Sequence, residues 1–278
     1  QANAKINLTL DITGRDRRGY HLLSSVFAEI SLSDTVSLEP GGKGITLECN
    51  LSSIPTDERN LCGKAAVAFL DALSIPERNF RIGLIKRIPV CAGLGGGSSD
   101  AAAVIKMLCE YFSVSPHSPE VVRAALSVGA DVPFFLQGGV CLAEGIGERL
   151  TPLPPISGYT VLVAKTSERA STPDVYRLYD SCPRSATPST PGFLQALRAG
   201  KEIAPHVSNH LTDAASSICP SVGSLKRQLR AAGAVAAEMS GSGCAVYGLF
   251  ADEAAAVNAK KTIDAEFCEI CRFVSTIS

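Results

Sequence analysis

A block of small residues at positions 89–103, PVCAGLGGGSSDAAA, constrains this chain more than any other stretch. Four of the five residues at positions 93–97 are glycine, so their backbone N–H groups can converge on a bulky anion. An alternating, strand-like pattern precedes the block at residues 80–84, and alanines that favour a helix follow it. This order predicts phosphate binding at a helix that opens near Ser98, because free N–H groups and the helix dipole point the same way.

Two familiar nucleotide-binding patterns fit the block poorly. The Walker pattern needs Lys followed by Ser or Thr after the glycines, and neither pair is present. The dinucleotide fingerprint is matched by Gly93 and Gly95, but Ser98 stands in place of its third glycine. The alternative interpretation of the block is purely structural: a flexible loop that caps an ordinary core helix. The density of glycines and serines at a helix start favours the phosphate site over that alternative.

Length and composition bound the class of protein. With 278 residues the chain can form one large domain or two ordinary ones. A hydrophobic fraction of 46% and a charged fraction of 19% are typical of a soluble globular protein. The net charge of −1 supplies no basic field for nucleic acid or a membrane surface. We find no long apolar run and no signal-peptide core, and therefore expect a cytoplasmic protein without either partner.

The chain contains ten cysteines at scattered positions. Cys268 and Cys271 form the one C-x-x-C pair, and no second pair of ligands is spaced to complete a zinc site. No metal-binding residue is therefore predicted with certainty. We interpret most of the cysteines as small buried hydrophobic residues in a reducing compartment.

Strand-like alternation dominates the opening of the chain, most clearly at residues 5–12. The proline-rich stretch at residues 151–155 is the best candidate for a domain boundary, which predicts domains at 1–152 and 153–278. Three prolines with several Ser and Thr residues predict a long loop at 181–192.

Other polar residues are uninformative when taken singly. Lys5 and Asn7 share the polar face of the first strand, and Tyr20 and His21 end a polar loop. Asp131 lies in a turn, where an isolated Asp most often caps the local backbone. Without further context these residues indicate solvated side chains and turns.

Three blocks taken together carry a family resemblance: AKINL at residues 4–8 with GYH at 19–21, GLGGGSSD at 93–100, and MSGSG at 239–243. Their order and spacing resemble the GHMP small-molecule kinases, from residue 4 to at least residue 250. The first pair of motifs is similar to the branch that phosphorylates a cytidine diphosphate compound in non-mevalonate isoprenoid biosynthesis.

The resemblance implies an α+β fold with a β-rich N-terminal domain, which holds the phosphate site, and a smaller sandwich-like C-terminal domain. It implies ATP and Mg²⁺ as cofactors, a cytidine diphosphate compound as substrate, and a monomer or weak homodimer. The implied catalytic residues are Lys5 and Asp131. The implied ATP-binding residues are Pro89, Gly93, Leu94, Gly95, Gly96, Gly97, Ser98 and Ser99. The implied substrate-binding residues are Asn7, Tyr20, His21 and Tyr176.

The chain departs from the family pattern at several positions. Cys91 and Ala92 replace glycines that are common in the second block, and His210 stands where an acidic residue often follows Asn209. Alternatives also stay open: a GHMP kinase for mevalonate, homoserine or another small alcohol, a nicotinamide-dependent oxidoreductase, or a nucleotide-binding module without activity. The oxidoreductase needs an acidic residue about 20 positions after the glycines, where Glu120 is the one candidate.

Overall fold

The computed structural model describes residues 1–181 and 187–275. The strands are β1 Ala2–Arg15, β2 His21–Pro40, β3 Ile45–Cys49, β4 Phe80–Ile85, β5 Val140–Gly145, β6 Arg149–Pro152, β7 Thr160–Lys165, β8 Ser208–Asn209, β9 Ala236–Met239, β10 Val246–Phe250 and β11 Phe267–Cys271. The helices are α1 Leu61–Ala72, α2 Gly96–Tyr111, α3 Pro119–Val128, α4 Val132–Gln137, α5 Thr172–Ser181, α6 Thr190–Arg198, α7 Thr212–Ile218, α8 Pro220–Ala231 and α9 Glu253–Lys260. Across these described ranges, no helix combines the length and apolar character needed to cross a membrane.

The chain divides into two compact units that each collect separate parts of the sequence. The first unit contains Gln1–Ala4, Ser33–Val90 and Gly95–Gly138, and the second contains Lys5–Leu32, Cys91–Leu94 and Gly139–Ser278. Residues 152 and 153 both belong to the second unit. The compact units therefore do not test the domain boundary between these two residues, which stays a prediction.

The first unit packs helices α1 to α4 with a short sheet. Strand β4 pairs antiparallel with residues 35–40 of β2 and parallel with β3. Asn60 caps α1 by accepting a hydrogen bond from the Cys62 N–H at 2.9 Å. Phe69 on α1 and Phe80 on β4 are fully buried. An apolar helix face and an alternating strand thus meet in one core.

The second unit contains two sheets. In one sheet, residues 23–28 of β2 pair antiparallel with β5, which pairs in turn with β6. β1 pairs parallel with β8 at Thr9 and Leu10. The other sheet is antiparallel, in the order β11-β7-β10-β9. Helices α5, α7, α8 and α9 contribute apolar residues that form one core with it, including Val175, Leu225 and Ala256.

Several predicted elements differ from the structure. The sequence pattern predicts separate strands at residues 22–32 and 35–39, but the structure has the single long strand β2 across both. The short helix α4 was not predicted, although Pro133 suits the first turn of a helix. Helix α5 was missed because its first turn is rich in polar residues and proline. The last strand ends at Cys271, whereas the sequence suggested that it begins there. Residues 182–186 of the predicted loop lie outside the described part of the chain.

Most of the described cysteines are buried free thiols, including Cys62, Cys109 and Cys141. Burial raises the pKa of the Cys141 thiol to about 11, with Glu29 adding to the rise. These residues behave as small apolar side chains, as expected from their surroundings in the sequence. Cys91 is the exposed exception in the glycine block.

Candidate active site

The glycine block opens helix α2 two residues earlier than the sequence suggested. Gly95 is the N-cap with φ +69°, a left-handed conformation that favours glycine. The first backbone hydrogen bond of the helix runs from Ser99 N–H to Gly95 O at 2.9 Å. The N–H groups of Gly96, Gly97 and Ser98 therefore precede the helical hydrogen-bond ladder. These are the N–H groups that the motif predicts to bind phosphate, and that role stays a prediction.

Gly93 has a packing role that the motif does not show. Its φ is +76°, and a Cβ atom at this position would lie 2.1 Å from the carbonyl oxygen of Ser240. Ser240 Oγ also donates a hydrogen bond of 2.8 Å to the carbonyl oxygen of Gly93. Two small-residue blocks that are distant in sequence thus pack backbone against backbone in the second unit.

Asn209 holds the second of these blocks. Its Nδ2 group donates to the carbonyl oxygens of Met239 at 3.0 Å and Gly241 at 2.7 Å. His210, which replaces an acidic residue of the family pattern, accepts a 3.1 Å hydrogen bond at Nδ1 from the Ile12 N–H. His210 therefore fixes the end of β1 through a local contact.

Lys5 is buried on strand β1, with 4% of the residue exposed. Its backbone N–H donates to the carbonyl oxygen of Leu94 at 2.9 Å. Its Nζ donates to Asn7 Oδ1 at 2.6 Å and lies 4.4 Å from the centroid of the Phe27 ring. A long flexible side chain is thereby held in one place, with its charge supported by an amide oxygen and an aromatic face.

Asn7 is the centre of a buried network in the second unit. Its Nδ2 donates to Ser25 Oγ at 2.9 Å, and its backbone N–H donates to Ser240 Oγ at 3.3 Å. Tyr247, fully buried on β10, donates its hydroxyl hydrogen to the Asn7 carbonyl oxygen at 2.8 Å. The bond to Ser25 fixes the side-chain amide that contacts Lys5, and the other two bonds fix the Asn7 backbone. Contact between Asn7 and a substrate stays a prediction.

Asp131 precedes helix α4 at the N-cap position and is half-buried. A local capping role was the main alternative to catalysis. Within the described residues, its side chain makes no capping hydrogen bond to α4. Asp131 lies in the first unit and Lys5 in the second, so their joint action stays a prediction.

The residues predicted to bind a pyrimidine include a pair in ring contact. The His21 and Tyr176 ring centroids are 4.6 Å apart with a tilt of 34°. Tyr20 is 59% exposed, and the Arg18 guanidinium lies 5.2 Å from its ring centroid. An exposed aromatic ring beside a His–Tyr pair can supply stacking surface for a base.

Asp180 is a polar neighbour of this group that the sequence reasoning missed. Its Oδ1 lies 2.8 Å from His21 Nε2, and its Oδ2 is paired with Arg15. Partial burial opposes ionisation, but these two partners outweigh it and lower the pKa of the Asp180 carboxyl. The available signal was its position on α5, one helical turn after Tyr176, which places both on one face.

Comparison with known proteins decides the family. The model for the GHMP kinases N terminal domain matches residues 60–139, and the model for the GHMP kinases C terminal domain matches residues 193–269. A 4-diphosphocytidyl-2-C-methyl-D-erythritol kinase of Clostridium botulinum strain Hall is 38% identical over 254 residues, or 91% of this chain and 90% of that protein. The chain belongs to the GHMP kinase family. It is therefore an ATP-dependent small-molecule kinase.

Solved structures of GHMP kinases support the same fold. A crystal structure of 4-(cytidine 5'-diphospho)-2C-methyl-D-erythritol kinase is 36% identical, covers 97% of both chains and has a TM-score of 0.78. Mevalonate kinase of L. major has a TM-score of 0.76 at 19% identity and covers 99% of this chain and 95% of its own. The second likeness shows the fold alone. The GHMP fold therefore favours kinase activity over the nicotinamide-dependent oxidoreductase that the glycine pattern left open.

The hydroxyl groups of the GHMP glycine block differ in availability. Ser99 is buried and donates from Oγ to the carbonyl oxygen of Asn3 at 2.6 Å. Ser98 is half-buried, as is Pro89 at the start of the block. In the described ranges, no group of three or more His, Cys, Asp and Glu side chains is placed to hold a metal ion.

Proposed function

We propose that this GHMP kinase transfers the γ-phosphate of ATP to a hydroxyl of 4-diphosphocytidyl-2-C-methyl-D-erythritol, giving the 2-phosphate in non-mevalonate isoprenoid precursor biosynthesis. The observation that carries the proposal is the 38% identity, over 91% of the chain, to a kinase with that name. The AKIN and GYH motifs, with Lys5 and His21 held by specific partners, support it from within the chain.

Asp131 is the proposed general base. The substrate hydroxyl gives its proton to the Asp131 carboxylate as its oxygen attacks the γ-phosphorus, and the bond to the departing ADP oxygen breaks. A carboxylate suits this task because it is ionised near neutral pH.

Lys5 and the start of α2 are proposed to stabilise negative charge. Phosphoryl transfer depends chiefly on positioning and on neutralising charge over the transferring group. A buried ammonium held by Asn7 and Phe27 is preorganised for this purpose, since it needs little rearrangement during the reaction. The N–H groups of Gly96, Gly97 and Ser98 are proposed to bind the phosphates.

Mg²⁺ is proposed to enter with the nucleotide. This ion commonly keeps several waters and binds through phosphate oxygens with few protein ligands, which fits a site without a carboxylate cage among the described residues. Ser98 is the proposed protein ligand, because it is half-buried whereas the Ser99 hydroxyl is buried and held against the Asn3 carbonyl oxygen. When bound, the ion would neutralise charge on the phosphate oxygens.

Tyr20, His21 and Tyr176 are proposed to recognise the cytosine ring. Stacking supplies affinity for any base, on the order of 1–3 kcal/mol per base in nucleic-acid systems. Stacking does not distinguish cytosine from uracil, so discrimination requires directed hydrogen bonds. With Nε2 facing Asp180, the imidazole of His21 is oriented to present its other nitrogen to a base edge.

The experiment measures kcat/KM with ATP for the cytidine and uridine forms of the substrate, and for mevalonate and homoserine. We expect a clear preference for the cytidine form. Tyr176→Ala should raise KM for the cytidine substrate and spare ATP, and His21→Ala should reduce discrimination between the two bases. Equal use of the uridine form, or better use of mevalonate or homoserine, would overturn the substrate assignment.

A further inference from the structure

The first unit contains a buried charge cluster in which one ammonium serves two carboxylates. Lys86 Nζ, just after β4, donates to Asp34 Oδ2 on β2 and to Asp100 Oδ2 on α2, the latter at 2.7 Å. The side chains are 5%, 0% and 3% exposed for Lys86, Asp34 and Asp100. With all three ionised, the cluster has a net charge of −1 away from solvent.

The two carboxylates are not equally satisfied. Asp34 Oδ1 accepts further hydrogen bonds from the backbone N–H groups of Arg87 and Ile88, the latter at 2.8 Å. Asp100 Oδ1 is buried and has no hydrogen-bond partner among the described residues. Since each added donor stabilises a carboxylate, an extra proton in the cluster is placed most favourably on Asp100.

The surroundings of Asp100 point the same way. Burial raises the pKa of Asp100 to about 7, Lys86 offsets part of the rise, and Asp34 adds to it. Cys62 on α1 interacts electrostatically with all three members of the cluster and with Cys49 on β3. Burial and Asp100 raise the pKa of Cys62 far above its ordinary value, so this thiol stays neutral.

The cluster lies directly beneath the start of α2. A Cβ atom on Gly96 would lie 3.2 Å from Lys86 Nζ and 3.0 Å from Ile88 Cγ2. Gly96 is the first residue of the helix, and its backbone N–H is one of the three proposed to donate hydrogen bonds to the phosphates. Lys86 is the charged group closest to this position, and the two carboxylates that share it leave the cluster with a net charge of −1. That net negative charge opposes an anion at the helix N-terminus, because charges interact strongly in a partly buried setting.

We propose that Asp100 is a positioning residue that couples nucleotide binding to uptake of a proton by the Asp34–Lys86–Asp100 cluster. When phosphates reach the N–H groups of Gly96–Ser98, Asp100 takes a proton from solvent. The cluster then becomes neutral, and the repulsion that it exerts on the phosphates is removed. The proposal rests on the nucleotide site described under the proposed function.

The pH dependence has a definite sign. Below about pH 7 Asp100 already holds its proton in the free protein, so affinity for nucleotide is flat. Above that value each binding event takes up a proton. Affinity then falls by up to about tenfold per pH unit until the higher pKa of the bound state is passed.

The test is isothermal titration calorimetry of ADP with Mg²⁺, in two buffers of different ionisation enthalpy, above about pH 7. The wild-type chain should take up a proton on binding, and Asp100→Asn should lose this uptake and bind with a flatter pH profile. The nucleotide itself titrates equally with the wild-type chain and with Asp100→Asn, so a difference in proton uptake between them comes from the protein. Asp71→Asn is the matched control, because Asp71 is exposed and pairs with Arg78 in the same unit.

Equal proton uptake by wild type and Asp100→Asn would overturn the coupling. If Asp100→Asn does not fold, infrared difference spectra of the wild-type chain decide the matter. A band from a protonated carboxyl group should appear when ADP is added above about pH 7, and its absence would reject the proposal. Failure of the wild-type chain to bind any nucleotide would instead refute the proposed function.

Discussion

Lys5 Nζ and Asn7 Oδ1 lie 2.6 Å apart on the same face of one strand, both almost completely buried. Residues two apart on a strand share a face, so the amide can hold the ammonium without help from a loop. The Asn7 amide is itself held by Ser25. The arrangement makes the position of Lys5 depend on a neighbour that the sequence suggested only as a substrate contact.

Asn7→Leu should lower kcat by about 10- to 100-fold, equivalent to loss of one charged hydrogen bond of about 1.5–3 kcal/mol. Leucine fills a similar volume and offers no acceptor, so Lys5 loses its orientation. Ser25→Ala is the matched control, because it removes a partner of Asn7 and leaves the bond to Lys5. Steady-state kinetics on folded protein checks the result. Wild-type turnover in Asn7→Leu would show that Lys5 needs no such support.

Asp131→Asn should lower kcat by about 10²–10⁴-fold, the usual range for removal of a general base. The amide keeps the shape of the side chain and cannot accept the hydroxyl proton. Binding of ATP and of the cytidine substrate should survive, which calorimetry checks independently of turnover. Near-normal turnover would return Asp131 to the status of a turn residue.

Ser98→Glu should weaken ATP binding by at least about fivefold, because two charges near 4 Å apart repel by roughly 1–4 kcal/mol between water and a partly buried setting. Ser98→Gln adds a side chain of the same size without charge. A carboxylate in the first turn also suits a helix N-terminus, so folding should be retained. The difference in ATP affinity between the two variants isolates charge. Equal ATP affinities of the two variants would contradict the proposal that the phosphates bind at this end of α2.

Gly93→Ala should unfold at clearly lower urea concentration than Gly158→Ala. Both glycines have a left-handed φ, near +76° and +80°, which costs an L-residue about 1–2 kcal/mol. A Cβ atom at Gly158 meets nothing within 4 Å, whereas at Gly93 it would lie 2.1 Å from Ser240 O. The larger loss of stability in Gly93→Ala than in Gly158→Ala therefore measures the effect of the close contact with the Ser240 backbone. Equal losses would mean that the contact adds nothing to stability.

Much of the fold was predictable because periodicity and end signals are local. The sequence alone predicts a helix over residues 119–128, because Pro119 suits a first turn and Gly129 ends the pattern, and α3 has these ends. The glycine block gave the strand, loop and helix order, and the family motifs gave the candidate residues. In these cases one stretch of sequence contains all the determining information.

The parts that escaped prediction depend on partners distant in sequence. The sequence placed Gly93 only among phosphate-binding residues, and its contact with Ser240 joins residues 147 positions apart. Asp180 could not be linked to His21 without knowing that α5 is a helix packed beside β2. Helix α2 starts at Gly96 rather than at the serines because Gly95 adopts a left-handed φ. Gly95 has no capping side chain, so the sequence contains no capping pattern that predicts this start.

The contacts among Gly93, Asn7, Ser240 and Tyr247 also bear on how the chain tolerates being cut. Expressed as two polypeptides divided between residues 152 and 153, it would place Lys5 and Asn7 on one fragment. The hydroxyl groups of Ser240 and Tyr247 that fix Asn7 would be on the other. The fragment that contains Lys5 would lose these two supports of the Asn7 backbone, and reassociation would restore them. The chain is thus suited to a split-protein reporter, in which phosphoryl transfer signals that the two fragments have met.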